Sequence, residues 1–563
     1  MRSVTRTRII ALCIAGFALL IIARLYILQI AEHQLYLDKA NRQYTYTAQS
    51  LFDRGTIYFQ NKDGTLVSAA TLQTGFIVAI NPKTLKDPEG TWQKLNALWP
   101  IDHDTFMAKV AANSSYQEIA THVSEDTGNK ISALNIPGVQ LYTDRWRFYP
   151  GGSTAAQVIG FEGYQGNDYA GRYGLERTYE TELERNDTGY VNFFAQIFAN
   201  IGTSQAATLK QADIVTTIEP TVQSDLESVL ASTSEKYSPD TIGGIIENPQ
   251  TGEIYAMASL PTFDPNHTDQ VANVKTFSNP MVENVYEMGS IIKPLTIAAG
   301  LDTGVITENS TYYDPGCITL NKKEICNFDR KNRGIVDMQT LISQSLNVGA
   351  AHVEQLVGNA TFDQYLYNFG LNQKTGIELP NEAHDLLANL KAPRDLEHAE
   401  AAFGQGIAMT PIATVRALST IASGGVLVTP HIVKSIDYTI GINKDTPVES
   451  GPRVISTTTA QTLDRMLTYS VDHVLDHGLL HLPNYSVAAK TGTAQIPSPT
   501  GGYYSDRYIH SFIGYFPSYN PRFFVFLYMY NPKNVQYASE SLTAPFMNIV
   551  NFLINYYEVP PDR

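Results

Sequence analysis

The sequence predicts an α+β protein carrying a single membrane anchor, and three observations lead there. One apolar run opens the chain, and a turn-rich stretch without a long periodic helix follows. Beyond Asp213, strand-like runs come first, helical runs next and strand-like runs last. At 563 residues the chain exceeds one ordinary domain, and length alone suggests roughly three or four units. Apolar residues make up 43% and charged residues 17%, which allows a sizeable core and excludes wholesale disorder. With 40 Lys and Arg against 55 Asp and Glu, the formal charge is −15. That diffuse acidity excludes nucleic acid as a partner class, because such binders need a basic footprint. Three cysteines make neither a disulfide scaffold nor a four-cysteine zinc module.

The anchor is at the start. Ile9 to Ala23 is unbroken apolar or small, and Leu25 to Ile30 continues the run after Arg24. Ile9–Ile30 is long enough for a helical span of about 30 Å, with Arg24 near one end where its stem can snorkel. No other segment could span a bilayer, so a polytopic membrane protein is excluded. Arg2, Arg6 and Arg8 precede the span while Glu32 and Asp38 follow it, so residues 1–8 are expected to stay cytoplasmic. A cleaved signal peptide is the rival, but no small-x-small site follows the apolar run. Everything after the span is therefore expected outside the cytoplasm, in a single-pass protein of the cell (inner) membrane. Cys13 lies within the span. Cys317 and Cys326 bracket a tight hairpin around Asn321-Lys322 and would face each other, as a disulfide or as two buried thiols.

Residues 31–210 read as a scaffold. Asp53–Ile57 and Asp63–Val67 look like strand–turn–strand punctuation, and no nucleophile sits beside a base. From Ile214–Ile218, a strand, the pattern changes. Val222–Ser232 is helical, and Ile242–Ile246 and Glu253–Ala258 form a hairpin around Asn248–Gly252. Helices follow at 290–300, 338–356 and 410–423, the last stopped by Gly424-Gly425. Ser486–Gln495, His510–Tyr515 and Arg522–Tyr530 are strand-like, and Leu542–Tyr557 is an apolar stretch. A central sheet assembled from both ends of residues 211–563 fits this order.

Chemistry concentrates at Tyr286-Glu287-Met288-Gly289-Ser290-Ile291-Ile292-Lys293-Pro294. Ser290 opens an apolar helix and Lys293 projects from the same face. A hydroxyl needs a neighbour to take its proton, and a lysine desolvated among apolar side chains can do so. Alone, S-x-x-K is more often a helix cap with a solvated lysine. Two S-x-N triplets occur. Ser518-Tyr519-Asn520 sits in a turn, whereas Ser345-Leu346-Asn347 lies between helical patterns where it can face a cleft. Two K-T-G triplets occur as well. Lys374-Thr375-Gly376 is loop chemistry, whereas Lys490-Thr491-Gly492-Thr493 continues a strand whose edge an extended peptide can approach.

Each triplet is weak alone, but S-x-x-K, then S-x-N, then K-T-G is a specific set. With it the chain resembles class B penicillin-binding proteins, the monofunctional peptidoglycan D,D-transpeptidases of cell division and elongation. Leu346 stands where lactamases carry Asp. Arg24-Leu25-Tyr26, Arg54-Gly55-Thr56-Ile57, Gly174-Leu175-Glu176, Pro249–Ile254, Asp264-Pro265-Asn266 and Gly404-Gln405-Gly406 extend the likeness over nearly the whole chain. Tyr58–Gly64 departs from the family's shorter turn.

The resemblance implies an elongated, mostly β pedestal over 31–210. It also implies a serine β-lactamase-like transpeptidase domain over 211–563, with a central antiparallel sheet and helices on both sides. It implies that Ser290 attacks the penultimate D-Ala carbonyl of a stem peptide while Lys293 accepts its proton. Backbone N–H groups of Ser290 and Thr493 would hold the oxyanion, Ser345 would relay a proton, and Asn347 would hold a substrate amide. Lys490, Thr491, Gly492 and Thr493 would bind the terminal carboxylate. An acceptor amine then resolves the acyl-enzyme, no metal or organic cofactor is needed, and β-lactams trap Ser290. Implied partners are peptidoglycan stem peptides, the bilayer through Ile9–Ile30, a glycosyltransferase of the SEDS type and other divisome or elongasome proteins. The compact pedestal favours division over elongation.

Competing readings are a D,D-carboxypeptidase or β-lactamase, which sends water to the acyl-enzyme, and a non-catalytic β-lactam-binding sensor or scaffold. No E-x-x-x-N deacylation signature stands out. A sensor would need more than residues 1–8 inside the cell, and a scaffold need not retain three motifs. His473, His477 and His481 have the spacing of zinc ligands on a helix, but Gly478 interrupts it and surface histidines are the expectation.

Overall fold

The computed structural model describes residues 53–165, 168–185, 211–478 and 480–563. Ile9–Ile30 and the tail 1–8 lie outside the described residues. Among the described residues, no helix is long and apolar enough to cross a membrane.

The described residues divide into two compact units. The smaller holds residue 53 and residues 72–146. Here the later part of the strand Leu66–Ile80 pairs antiparallel with Gln117–Ser124, from Gly75 opposite Ser124 to Ile80 opposite Gln117. Three short helices, Pro88–Asn96, His103–Val110 and Glu125–Ala133, open on side-chain caps from Asp87, Asp102 and Ser124. Val78, Ile80, Leu95, Phe106, Val123 and Ile131 form its core.

The larger unit holds the rest, including residues 54–71 and 147–185. Buried charge ties these two segments to each other, and strand pairing with Ala212–Thr216 and the Tyr149–Asn266 hydrogen bonds tie them to the rest of the unit. The Arg54 guanidinium, 2% exposed, donates to Glu176 at 2.8 Å and Glu180 at 2.8 Å and pairs with Glu162 at 3.0 Å. Arg147 donates to the same Glu176 at 2.6 Å and to the Gly55 carbonyl at 2.6 Å. Removing either arginine would leave buried carboxylates uncompensated. Ile57–Gln60 runs parallel to Ala212–Thr216, which Val433–Tyr438 flanks on its other edge.

A five-stranded antiparallel sheet forms the centre of this unit. Its order is Ala488–Pro497, Tyr503–Phe516, Phe523–Tyr530, Thr241–Glu247, Ile254–Leu260. The hairpin from the start of the region therefore meets three strands from its end, the assembly expected from the order of the runs. Phe523–Tyr530 shows how both faces are covered. Phe524, Phe526 and Tyr528 enter one apolar cluster with Leu295, Ile297, Leu463 and Leu467. The alternate Phe523, Val525, Leu527 and Met529 enter another with Val222, Leu226, Ile549 and Val550. Helices Lys293–Asp302 and Thr457–His473 thus cover one face, and Pro220–Tyr237 and Thr543–Tyr556 the other.

The predicted helix 338–356 is two helices, Met338–Ser343 and Asn347–Val357. Ser345 breaks it with φ +57°, a left-handed conformation that an α-helix cannot contain. The predicted helix at 290–300 begins with a tighter 3-10 turn, Gly289–Ile292, before Lys293–Asp302.

Candidate active site

The site is assembled where the turn Gly289–Ile292, the break at Ser345 and the strand Ala488–Pro497 meet. Gly289 has φ +64°, which favours glycine, and its N–H donates to the Gly404 carbonyl at 3.0 Å. Gly492 is required for a different reason. A Cβ there would lie 2.8 Å from the Met288 carbonyl oxygen and 3.0 Å from the Ile291 nitrogen. Only glycine lets the strand lie this close to the turn that carries Ser290. Ser511, on the neighbouring strand, donates to the same Met288 carbonyl at 2.7 Å.

Lys293 is 0% exposed, and its Nζ has four partners. They are Ser290 Oγ at 3.0 Å, the Ser345 carbonyl at 2.5 Å, Ser345 Oγ at 3.1 Å and Asn347 Oδ1 at 2.8 Å. Two of these, the carbonyl oxygens of Ser345 and Asn347, can only accept. They use the two N–H bonds of a neutral amine and leave its lone pair for a hydroxyl. The left-handed backbone at Ser345 is what turns both its carbonyl and its hydroxyl towards Lys293. Burial first, and then the neighbouring Lys490 charge, hold the Lys293 amine well below the ordinary lysine range. Burial also pulls Lys490 down, to about 7.

Lys490 Nζ donates to Ser345 Oγ at 3.0 Å and to the Thr491 carbonyl at 2.9 Å. Ser345 Oγ is therefore shared between two lysines. Asn347 opens the helix Asn347–Val357, and its Nδ2 donates to the Cys326 carbonyl at 2.9 Å. Thr493 Oγ1 accepts from the Ala538 N–H at 3.0 Å. Ser290, Ser345, Asn347, Lys490, Thr491 and Thr493 all line one cleft of about 800 Å³, and Gly492 lies on the same strand beneath it. A hydroxyl next to an amine held well below the ordinary lysine range, with a second lysine beside an open strand edge, suits acyl transfer from a substrate bearing a carboxylate.

Residues 242–551 match the family model described as penicillin binding protein transpeptidase domain. The chain belongs to the penicillin-binding protein transpeptidase family. Residues 52–193 match the penicillin-binding protein dimerisation domain, the arrangement of the class B members. Stage V sporulation protein D of Bacillus subtilis is 29% identical over 523 residues, 91% of this chain and 79% of that protein. Peptidoglycan D,D-transpeptidase FtsI of Buchnera aphidicola is 26% identical over 575 residues, 99% and 96% of the two chains. Among solved structures, apo penicillin binding protein 3 from Mycobacterium tuberculosis gives a TM-score of 0.65 at 27% identity, over 74% of this chain and 92% of that one. Its complex with ampicillin gives 0.69 at 23% identity, over 91% and 96%, a likeness of fold.

The other copies of the family's motifs lie elsewhere in this penicillin-binding protein. Lys374 is exposed in a loop, where Thr375 donates to Glu382 at 2.7 Å and Arg416 donates to the Lys374 carbonyl at 3.1 Å. Ser518 is buried and accepts from Thr468 Oγ1 at 2.8 Å. His473 ends a helix, His477 sits in a left-handed turn with φ +58°, and His481 faces Asp472 at 2.9 Å. Among the described residues, none of the three joins a cluster able to share a metal ion. Cys317 and Cys326 face each other as a disulfide, Cα–Cα 4.1 Å. The site also uses groups the sequence did not single out, the Cys326 carbonyl and Ser511. The carbonyl carries no sequence signal because it is main chain.

Proposed function

We propose that this penicillin-binding protein is a peptidoglycan D,D-transpeptidase working through an acyl-enzyme on Ser290. The observation that carries the reading is the partner count at Lys293. Once deprotonated, this buried amine has both N–H bonds committed to carbonyl oxygens and keeps its lone pair for Ser290 Oγ. Ser290 Oγ then attacks the penultimate D-Ala carbonyl of a stem peptide as its proton passes to Lys293. The N–H groups of Ser290 and Thr493 stabilise the oxyanion. Ser345, between Lys293 and Lys490, relays the proton to the departing D-Ala amine. Asn347 has one Nδ2 hydrogen and one Oδ1 lone pair left for a substrate amide. Lys490, Thr491, Gly492 and Thr493 take the terminal carboxylate. An amine from a second stem peptide resolves the ester into a crosslink, and a β-lactam acylates the same oxygen.

The same reading assigns residues 1–8 to a cytoplasmic tail, 9–30 to a single anchor in the inner membrane, 31–210 to the pedestal and 211–563 to the extracytoplasmic transpeptidase. Septal division is the favoured role, supported by relatives named Peptidoglycan D,D-transpeptidase FtsI, with a SEDS-type glycosyltransferase as partner. The test is product analysis with a D-Ala-D-Ala-terminated stem peptide, with and without an acceptor amine. A crosslinked product in the presence of the amine is expected. Hydrolysis alone under both conditions would make the protein a D,D-carboxypeptidase instead.

A further inference from the structure

Among the described residues, the hairpin Cys317–Leu320 and Lys323–Cys326 is a two-stranded sheet with no third strand. Only Ile325 among its residues is buried, at 4% exposure. Such a hairpin is marginal by itself in water. The disulfide ties its open end, where Cys317 and Cys326 stand directly opposite each other.

That end carries load for the site. The helix Asn347–Val357 has Leu346 at its cap position, and leucine offers no side-chain acceptor for the first-turn N–H groups. The end of the hairpin and the residue after it supply one backbone partner and one side-chain partner. Asn327 Oδ1 accepts from the Val348 N–H at 3.1 Å, and the Cys326 carbonyl accepts from Asn347 Nδ2 at 2.9 Å. The second contact also decides which way the amide faces. A carbonyl oxygen only accepts, so it selects the NH2 end of Asn347 and leaves Oδ1 for Lys293, 2.8 Å away.

We propose that the Cys317–Cys326 disulfide is a positioning element for acylation: it holds the Cys326 carbonyl, which fixes the amide of Asn347 towards Lys293. Opening the bond frees the carbonyl to drift, and Asn347 can then rotate away from Lys293. The proposal rests on the acyl-transfer reading of Ser290 and Lys293, and it makes the rate of that reaction depend on the redox state of the pair.

The test measures the second-order acylation constant and the labelled fraction of the full chain with a fluorescent penicillin. The samples are oxidised, reduced by a phosphine, and reoxidised. Reduction cleaves the S–S bond to two thiols while the phosphine takes oxygen from water to become the phosphine oxide. The expected result is a rate about tenfold lower after reduction and in Cys326→Ser, the weight of one neutral hydrogen bond. The labelled fraction should be unchanged, and reoxidation should restore the wild-type rate.

The pH profile separates positioning from simple loosening. Asn347 Oδ1 favours the protonated form of Lys293, and Lys490 is the charged group opposing it. Losing Oδ1 should therefore move the acid limb of acylation to lower pH. In Asn347→Ala, reduction should change nothing further, because the two perturbations act through one amide. An unchanged rate on reduction overturns the proposal, and so does a lower labelled fraction at an unchanged rate and pH profile. Equal slowing by reduction in wild type and Asn347→Ala overturns it too. None of these touches the function, provided that labelling still requires Ser290. Absence of Ser290-dependent labelling in the oxidised protein overturns the acyl-transfer reading itself, and the proposal with it.

Discussion

Lys293→Arg keeps a positive charge at the centre of the site and removes the one property the mechanism needs. Lys293 is wholly buried, and its amine is held well below the ordinary lysine range by burial and by Lys490. An arginine in its place stays protonated throughout the accessible pH range and has no lone pair to offer Ser290 Oγ. General-base help of this kind is worth about a hundred- to ten-thousandfold, or about 3–5 kcal/mol of activation free energy. The acylation constant should therefore fall by about a thousandfold in Lys293→Arg, and by a similar factor in Lys293→Met. Stopped-flow acylation from neutral to alkaline pH reads this, with thermal melts confirming that both variants fold. The melts carry a second expectation. Below the ordinary lysine value of 10.5 the unfolded chain binds a proton that the native amine resists. The stability of the wild type relative to Lys293→Met should therefore rise with pH, from the depressed native value up to 10.5, and flatten above it. Acylation by Lys293→Arg within about tenfold of wild type would refute the general-base argument.

Lys490→Ala should slow acylation by about a hundredfold, because a substrate carboxylate loses its charge partner in a buried site, whereas exposed Lys374→Ala should stay within about twofold. Equal losses in fluorescent-penicillin kinetics would mean that the two K-T-G triplets had been told apart wrongly. Gly492→Ala places a Cβ against the Met288 carbonyl and the Ile291 nitrogen. It should lower the melting temperature, by a destabilisation of about 1–3 kcal/mol, and slow acylation, and wild-type values for both would contradict the close approach. Burial sets the Lys490 charge to be lost as pH rises through about 7. KM for a stem peptide should therefore climb above that pH, and Lys490→Arg should abolish the rise.

Much of the architecture was legible because side-chain periodicity reports it directly. Phe523–Tyr530 is apolar on both faces, as a central strand must be, and Gly424-Gly425 ends the helix Pro411–Ala422 as expected. The residues of the three motifs meet in one cleft, with Ser345 Oγ linking Lys293 to Lys490, since spacing and residue type specify the groups. Two kinds of information were not legible. The break at Ser345 falls in Gln344-Ser345-Leu346, which has neither glycine nor proline; contacts with Lys293 and Lys490 sustain its left-handed backbone. The joining of residues 54–71 to residues 147–185 depends on Arg54 meeting three glutamates far away in sequence. Its one trace was that Arg54 and Glu176 stood in segments with a family likeness. The Cys326 carbonyl left no trace at all, because every residue has one.

Covalent capture at a single oxygen is the central claim, and adduct mapping tests it most directly. The full chain is incubated with a fluorescent penicillin, digested, and the modified peptide sequenced by mass spectrometry, with Ser290→Ala run alongside and its fold checked by melting. One adduct, on Ser290, absent from the folded Ser290→Ala protein, is the predicted result. An adduct on any other residue, or undiminished labelling of Ser290→Ala, would contradict the account.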